Sequence, residues 1–199
     1  MGLIRQAGRK AVMLPGDIRD EALAERLVST AVERFGGLDI ALNNAGAIGA
    51  NEPTPDIALE RWRETLDVNL TAAFLGAKHQ IPALLARGGG SLVFTGSFVG
   101  YSAGMPGMAA YAASKAALTN LTLSFARLLA PRVKVNAVAP SLIMFNQGDS
   151  QAYREKTLKK SLMGIEPGAE VAVATLQFLL DNPYITGRTL PLDGGRHLV

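Results

Sequence analysis

Short apolar runs alternate with longer amphipathic segments along the chain, which is the pattern of a parallel α/β sheet. The apolar runs predict five strands, over Ala11–Leu14, Leu38–Leu42, Ser91–Thr95, Val133–Val138 and Thr189–Leu192. Several of them end in turn-forming glycine, asparagine or proline. The expected fold is therefore α/β, with an open, mostly parallel, doubly wound sheet.

Apolar residues at helical spacing predict five helices between these strands. The first follows Asp20, a typical N-cap residue, and ends at Phe35, before two glycines. The others cover Ile57–Ala86 with a kink at Pro82, Ala109–Leu129, Gln151–Leu162 and Ala169–Leu180. The segment Gln151–Leu162 is charged and amphipathic, so we expect it to lie over a site.

The composition indicates one globular domain over residues 1–199, since no repeat, low-complexity stretch or linker divides the sequence. No apolar run reaches transmembrane length, and the start lacks the pattern of a signal peptide. The absence of cysteine excludes a disulfide framework and a thiolate metal site. We expect a cytoplasmic protein.

Charge and histidine placement narrow the possible partners. The net charge is +3, and the basic residues are scattered without interleaved aromatic residues, so a nucleic-acid surface is not expected. His79 and His197 are far apart in sequence, so we expect no metal centre. A small-molecule substrate is the remaining expectation, without nucleic acid or membrane.

Tyr111 and Lys115 form the strongest chemical signal in the chain. Residues four apart lie one turn apart on the same face of a helix, so the phenol and the ammonium are neighbours. The positive charge favours the phenolate, and such a phenol can give a proton to a carbonyl oxygen or take one from an alcohol. The alternative is a core tyrosine beside a lysine that reaches solvent.

An ordered set of motifs resembles the short-chain dehydrogenases/reductases. The set comprises Asn43-Asn44-Ala45-Gly46, Asn69, Ser97, Tyr111-xxx-Lys115 and Asn136-Ala-Val-Ala-Pro140. The second half of the chain, including Lys160-Ser-Leu-Met163 and Asp193-Gly-Gly-Arg-His197, resembles the branch of pteridine and dihydromonapterin reductases. The resemblance implies an NADP(H)-dependent reductase of a carbonyl or pteridine-like substrate.

The resemblance also implies catalytic roles for four residues. Tyr111 would donate the proton, and Lys115 would assist it and hold the nicotinamide ribose. Ser97 would bind the substrate oxygen, and Asn69 would hold a water that relays protons to Lys115. The structural alternatives are a turn serine for Ser97 and a backbone-bonding amide for Asn69.

Further residues would contact NADP or NAD. The resemblance assigns the adenine side to Asp17, Asn43, Ala45 and Gly46, and the nicotinamide side to Lys115, Pro140, Ser141 and Ile143. Asp17 is nearly as plausible as a helix-entry residue. Phe145 and Tyr101 are candidates to cover a flat ring, or to pack in the core.

The family opens with a strand, a TGxxxGxG loop, a helix and a second strand, and the loop holds the cofactor pyrophosphate. Met1–Lys10 resembles the helix that follows these elements, so we expect a shortened, incomplete Rossmann-like fold lacking the first strand, glycine-rich loop and second strand. Without the backbone donors of this loop we expect the binding of NADP or NAD to be weakened. We expect Ala11–Leu14 to move inward and pair with Leu38–Leu42.

Two other functions remain open. Ser97, Tyr111 and Lys115 resemble the nucleophile and base of serine β-lactamases and related esterases, which predicts a cofactor-independent hydrolase. A non-catalytic oligomeric remnant is the third possibility. In every case we expect a homodimer or homotetramer, because the helices Ile57–Ala86 and Ala109–Leu129 carry more apolar positions than one sheet face can cover.

Overall fold

Helices and parallel strands alternate through residues 2–199, the part of the chain that the computed structural model describes. The α-helices are α1 Gly2–Gln6, α2 Glu21–Phe35, α3 Leu59–Leu66, α4 Ala72–Ala86, α5 Ala109–Leu129, α6 Gln151–Leu158 and α7 Ala169–Asp181. The strands are β1 Ile40–Asn43, β2 Gly90–Thr95, β3 Val133–Pro140 and β4 Thr189–Leu192. Short 3₁₀ turns cover Thr54–Asp56 and Arg196–Leu198.

The four strands form one sheet in the order β1-β2-β3-β4, with every neighbouring pair parallel. In this register Leu42 is opposite Val93, and Val93 is opposite Asn136. The α/β class, the parallel sheet and four of the five predicted strands are therefore confirmed.

Helices lie on both faces of the sheet. Val133, Val135 and Leu92 belong to the buried cluster that α4 and α5 complete on one face. Successive side chains of a strand point to opposite faces, so Lys134 projects from the other face. Its ammonium donates to the carbonyl oxygens of Leu179, Leu180 and Asn182, which closes the C-terminal end of α7.

The predicted strand Ala11–Leu14 is wrong, and so is its pairing with Leu38–Leu42. These residues form no ladder, and Met13 is 66% exposed. Strand β1 pairs only with β2 among the described residues, so its other edge is unpaired. A four-residue segment without a neighbouring strand cannot satisfy its backbone groups internally, so it stays an extended loop in water.

The helix over Ile57–Ala86 is interrupted, which the apolar pattern does not reveal. A π-helical turn, Asp67–Thr71, joins α3 to α4, and Pro82 lies within α4. Helix α6 ends at Leu158, four residues earlier than predicted, and the Ser161 hydroxyl accepts a hydrogen bond from Gly164 N in the following turn.

Helix α2 begins and ends as predicted. The Asp20 carboxylate accepts a hydrogen bond from Ala22 N, and Gly36 takes the left-handed conformation that closes the helix. At its first turn, the Glu21 carboxylate bonds Lys78 and His79 of α4. Nowhere in residues 2–199 is a helix both long and apolar enough to cross a membrane.

Candidate active site

The predicted catalytic residues collect near the carboxyl ends of the strands, where ligands bind in open α/β sheets. Ser97 follows β2, and Ser141 follows β3. Helix α5, which carries Tyr111 and Lys115, packs against β3. The loop after β1 begins with Asn44 and brings backbone groups to the same region.

Lys115 is the buried cation of this region. Its side chain crosses from α5 to the end of β2, where Nζ donates to Thr95 O at 2.8 Å. The same Nζ lies 5.8 Å from the centre of the Tyr111 ring. The residue is 3% exposed, and this burial lowers the pKa of its ammonium from 10.5 to about 8.

Asn69 connects the π-helical turn to the loop after β1. Its Oδ1 accepts from Ala47 N and its Nδ2 donates to Ala47 O, both at 2.8 Å. A Cβ atom at Gly46 would lie 2.8 Å from Asn69 Oδ1 and 3.2 Å from Lys115 Nζ. The three residues Asn69, Gly46 and Lys115 are therefore close together. The π-helical turn, a feature frequent at functional sites, places the Asn69 side chain next to Gly46 and Lys115.

Ser97 is held in the loop that follows β2. Its Oγ donates to Pro140 O at 3.4 Å and accepts from Val99 N at 3.2 Å. Within residues 2–199 its hydroxyl has no hydrogen bond to Tyr111 or Lys115. The contact between nucleophile and base that a serine hydrolase needs is thus missing from this arrangement.

Two of the four residues predicted on the adenine side, Asn43 and Asp17, bond other residues of the protein. Asn43 exchanges two hydrogen bonds with the Gln80 amide, at 2.8 and 3.1 Å. The exposed Asp17 carboxylate binds the side chain and backbone N–H of Arg19, and these hydrogen bonds lower its pKa to about 2. Ala45 and Gly46 are exposed in the loop after β1.

The predicted nicotinamide-side residues Ser141 and Ile143 line a cavity of about 340 Å³, and Pro140 immediately precedes them. Helix α6 and the turn after it close one side of the cavity. The sequence predicted that the charged segment Gln151–Leu162, which contains α6, lies over a site. The other lining residues are Leu142, Thr157, Leu158, Ser161, Met163, Ile165, Pro167, Val171, Pro191, Leu192, Asp193, Gly194 and Arg196.

Phe145 and Tyr101 are not placed as a pair over one ring. Phe145 packs edge-on against Tyr153 with 6.0 Å between ring centres, and the Arg154 guanidinium lies 5.1 Å from its ring. Tyr101 is 44% exposed in the loop after β2. Phe145 thus helps to fix α6 against the segment that follows β3.

The C-terminal turn holds polar residues that the sequence patterns did not single out as a site. The buried Asp193 carboxylate bonds His197 Nδ1 at 2.5 Å and accepts from the backbone N–H groups of Gly195 and His197. Burial raises the pKa of Asp193, but these hydrogen bonds outweigh it and leave the pKa below its ordinary value. The sequence signal was the position of Asp193 directly after a short strand.

A family model described as Enoyl-(Acyl carrier protein) reductase matches residues 2–197. The chain belongs to the short-chain dehydrogenases/reductases. Because it belongs to this family, the chain is an oxidoreductase, and use of a nicotinamide cofactor is implied.

Individual short-chain dehydrogenases/reductases match almost the whole chain. The dihydromonapterin reductase of Enterobacter sp. (strain 638) is 39% identical over 198 residues, which covers 98% of this chain and 80% of the relative. The dihydromonapterin reductase of Escherichia coli (strain K12) is 38% identical over 199 residues, covering 99% of this chain and 81% of the relative. The crystal structure of a 3-ketoacyl-ACP reductase from Sinorhizobium meliloti 1021 superposes with a TM-score of 0.86 at 33% identity, covering 98% of this chain and 83% of that one.

The described residues fit the nicotinamide-ribose half of such a cofactor. An ammonium has three N–H donors, and within residues 2–199 Lys115 uses one of them, toward Thr95 O. The remaining donors suit ribose hydroxyls. The sequence contains no TGxxxGxG segment, the loop that holds the pyrophosphate in the family.

Proposed function

We propose that this chain acts as an NADP(H)-dependent reductase of a carbonyl or pteridine-like substrate, with Tyr111 as the proton donor. The observation that carries the proposal is the position of Lys115, a buried ammonium bonded to Thr95 O and 5.8 Å from the Tyr111 ring centre. Relatives named dihydromonapterin reductase support the pteridine-like substrate.

Each residue has a distinct part in the proposed reaction. The Tyr111 hydroxyl gives its proton to the substrate oxygen or nitrogen, and the Lys115 charge stabilises the phenolate that remains. Ser97 Oγ orients the substrate by a hydrogen bond, after turning from Pro140 O. Asn69, which bonds Ala47 and lies next to Gly46, would hold a water that relays protons to Lys115.

A bound nicotinamide dinucleotide supplies the hydride for this reaction. Lys115 would hold its ribose, and Pro140, Ser141 and Ile143 would line the nicotinamide side. Asn43, Ala45 and Gly46 would lie along the adenosine side, with Asp17 reaching the adenine after release from Arg19. NADP is the form expected from the pteridine-reductase branch.

The proposal extends to the assembly and its location. The chain forms one domain over residues 1–199 and acts in the cytoplasm as a homodimer or homotetramer. Phe74 of α4 and Leu123 of α5 are 46% and 51% exposed, which leaves apolar area on both helices for a second copy.

A two-part experiment tests the function. Fluorescence titration with NADPH and NADH measures whether the 199-residue chain binds a cofactor. Absorbance of NADPH then reports the reduction of 7,8-dihydromonapterin, with a nitrophenyl ester and a chromogenic β-lactam assayed in parallel. We expect NADPH binding and dihydropterin reduction, both weakened in the Lys115→Met variant.

Three results would overturn the proposal. Cleavage of the ester or β-lactam without cofactor would favour the hydrolase. A folded oligomer without cofactor binding or turnover would favour the remnant. Binding of NADPH by wild-type and Lys115→Met protein with the same affinity would remove Lys115 from the cofactor site.

A further inference from the structure

Arg196 brings a positive charge to the wall of the cavity beneath α6. Its Nη1 donates to Ser141 Oγ at 3.3 Å, and its guanidinium carbon lies 5.1 Å from the centre of the Phe98 ring. Among residues 2–199 no carboxylate forms an ion pair with it. The aromatic ring and the serine therefore orient this cation without neutralising it.

The acidic residue of the cavity lining, Asp193, already receives hydrogen bonds from its own turn. The Asp193 carboxylate receives hydrogen bonds from Gly195 N, His197 N and His197 Nδ1. A guanidinium has five N–H donors in a fixed fork, and within the described residues 2–199 Arg196 uses one of them, on Ser141. Arg196 thus keeps a fork that matches a planar carboxylate.

The rest of the cavity wall is mostly apolar. Leu142, Ile143, Met163, Ile165 and Leu192 supply aliphatic or thioether surface around a volume of about 340 Å³. Sites of this size with few polar groups take a ring or other apolar body and fix its orientation by those groups. A charge–charge contact in such surroundings is less screened than at an open surface.

We propose that this cavity binds a ring-bearing ligand that carries a carboxylate, and that Arg196 selects for the carboxylate. The identification of this ligand as a substrate rests on the proposed reductase function. If that function holds, the substrate is a pteridine-like ring with an acidic substituent. Arg196 is then a specificity-determining residue, separate from the proton transfer at Tyr111.

Two matched ligand pairs test the proposal by fluorescence titration of the full 199-residue chain. Pterin-6-carboxylate is compared with 6-hydroxymethylpterin, and 2-naphthoate with 2-naphthamide, so that each pair differs in the anionic group. We expect the carboxylate to bind at least about tenfold more tightly than its neutral partner, with the preference shrinking as salt is added.

Variants assign the preference to one side chain. Arg196→Gln should abolish it, Arg196→Lys should retain part of it, and the exposed Arg188→Gln should leave it unchanged. Any of three results would overturn the proposal. These are equal affinity within both pairs, no binding of any of the four ligands, and a carboxylate preference that survives in folded Arg196→Gln. If that variant does not fold, the wild-type pairs and their salt dependence decide.

The two pairs also separate this proposal from the proposed function. A carboxylate preference for 2-naphthoate without any pterin binding would reject the pteridine-like substrate and leave the role of Arg196 intact. Pterin binding without a preference in either pair would reject the role of Arg196 and leave the reductase standing.

Discussion

The buried ammonium of Lys115 donates a 2.8 Å hydrogen bond to the carbonyl oxygen of Thr95, the last residue of β2. This contact ties α5 to the sheet and fixes the cation beside the Tyr111 ring. Because burial disfavours the protonated amine, the free energy needed to bury Lys115 depends on pH.

Lys115 should make the stability of the fold rise with pH. Burial lowers its pKa from 10.5 to about 8, so in that window the unfolded chain binds more protons than the folded one. The free energy of unfolding of wild-type protein, relative to Lys115→Met, should increase across the window by at most about 3 kcal/mol. Urea unfolding of both proteins at several pH values measures this increase, and Lys156→Met, at an exposed lysine, is the control. A stability difference between wild type and Lys115→Met that does not change with pH would contradict the prediction.

Replacing Tyr111 by Phe should lower kcat for the reduction by about 10²–10⁴-fold, the usual contribution of a positioned general acid. The ring and its packing remain, so thermal unfolding should change little. Steady-state kinetics with NADPH and a dihydropterin measure the loss. Wild-type turnover by the variant would remove the phenol from the mechanism.

The Ser97→Ala substitution should reduce the rate only in part. It removes one hydrogen bond to the reacting oxygen, worth about 1–3 kcal/mol, or roughly fivefold to 150-fold in rate. Comparison of kcat/KM between wild type and variant measures this. Complete loss, together with ester cleavage by the wild type, would instead identify Ser97 as a nucleophile.

Gly46→Ala should impair catalysis more than folding. The added methyl would lie 2.8 Å from Asn69 Oδ1 and 3.2 Å from Lys115 Nζ, so one of these groups must move. We expect at least about a tenfold loss in kcat, with about 1–2 kcal/mol of destabilisation from the crowding. Gly104→Ala is the matched control, because nothing lies within 4 Å of its added atom. Equal activity of the two variants would place Gly46 outside the site.

Phe74→Glu should dissociate the proposed oligomer. Phe74 is 46% exposed on α4, so the charge costs little in an isolated chain but much within an apolar contact between copies. Light scattering at micromolar concentration should give an oligomer for wild type and for Leu3→Glu, and a monomer for Phe74→Glu. A monomeric wild type would refute the assembly.

The ends of helices α2 and α5 were predictable from the sequence, because the residues there have strong local conformational preferences. Asp20 at the start of α2 and Gly36 at its end follow from their capping preferences. The bounds of α5 follow from apolar spacing between a glycine-rich loop and Pro131. The pairing of Tyr111 with Lys115 follows from their spacing on α5.

Features that depend on distant parts of the chain escaped the sequence patterns. Ala11–Leu14 has strand-like residues, but a strand also needs a neighbour, and β1 does not provide one. The π-turn around Asn69 requires one residue more per turn than apolar spacing suggests. The contact of Arg196 with Phe98 joins residues nearly a hundred positions apart, which no local motif encodes.

Within residues 2–199 one edge of β1 is unpaired, which has a consequence for handling the protein. In a parallel strand alternate residues direct their N–H and C=O groups to opposite sides, so about half of those on β1 face water. These amides should exchange rapidly with deuterium, while their neighbours that bond β2 exchange slowly. Since Ile40 and Leu42 are 51% and 45% exposed, strands of other molecules can add to this edge, and amyloid-like aggregation in concentrated samples should begin there.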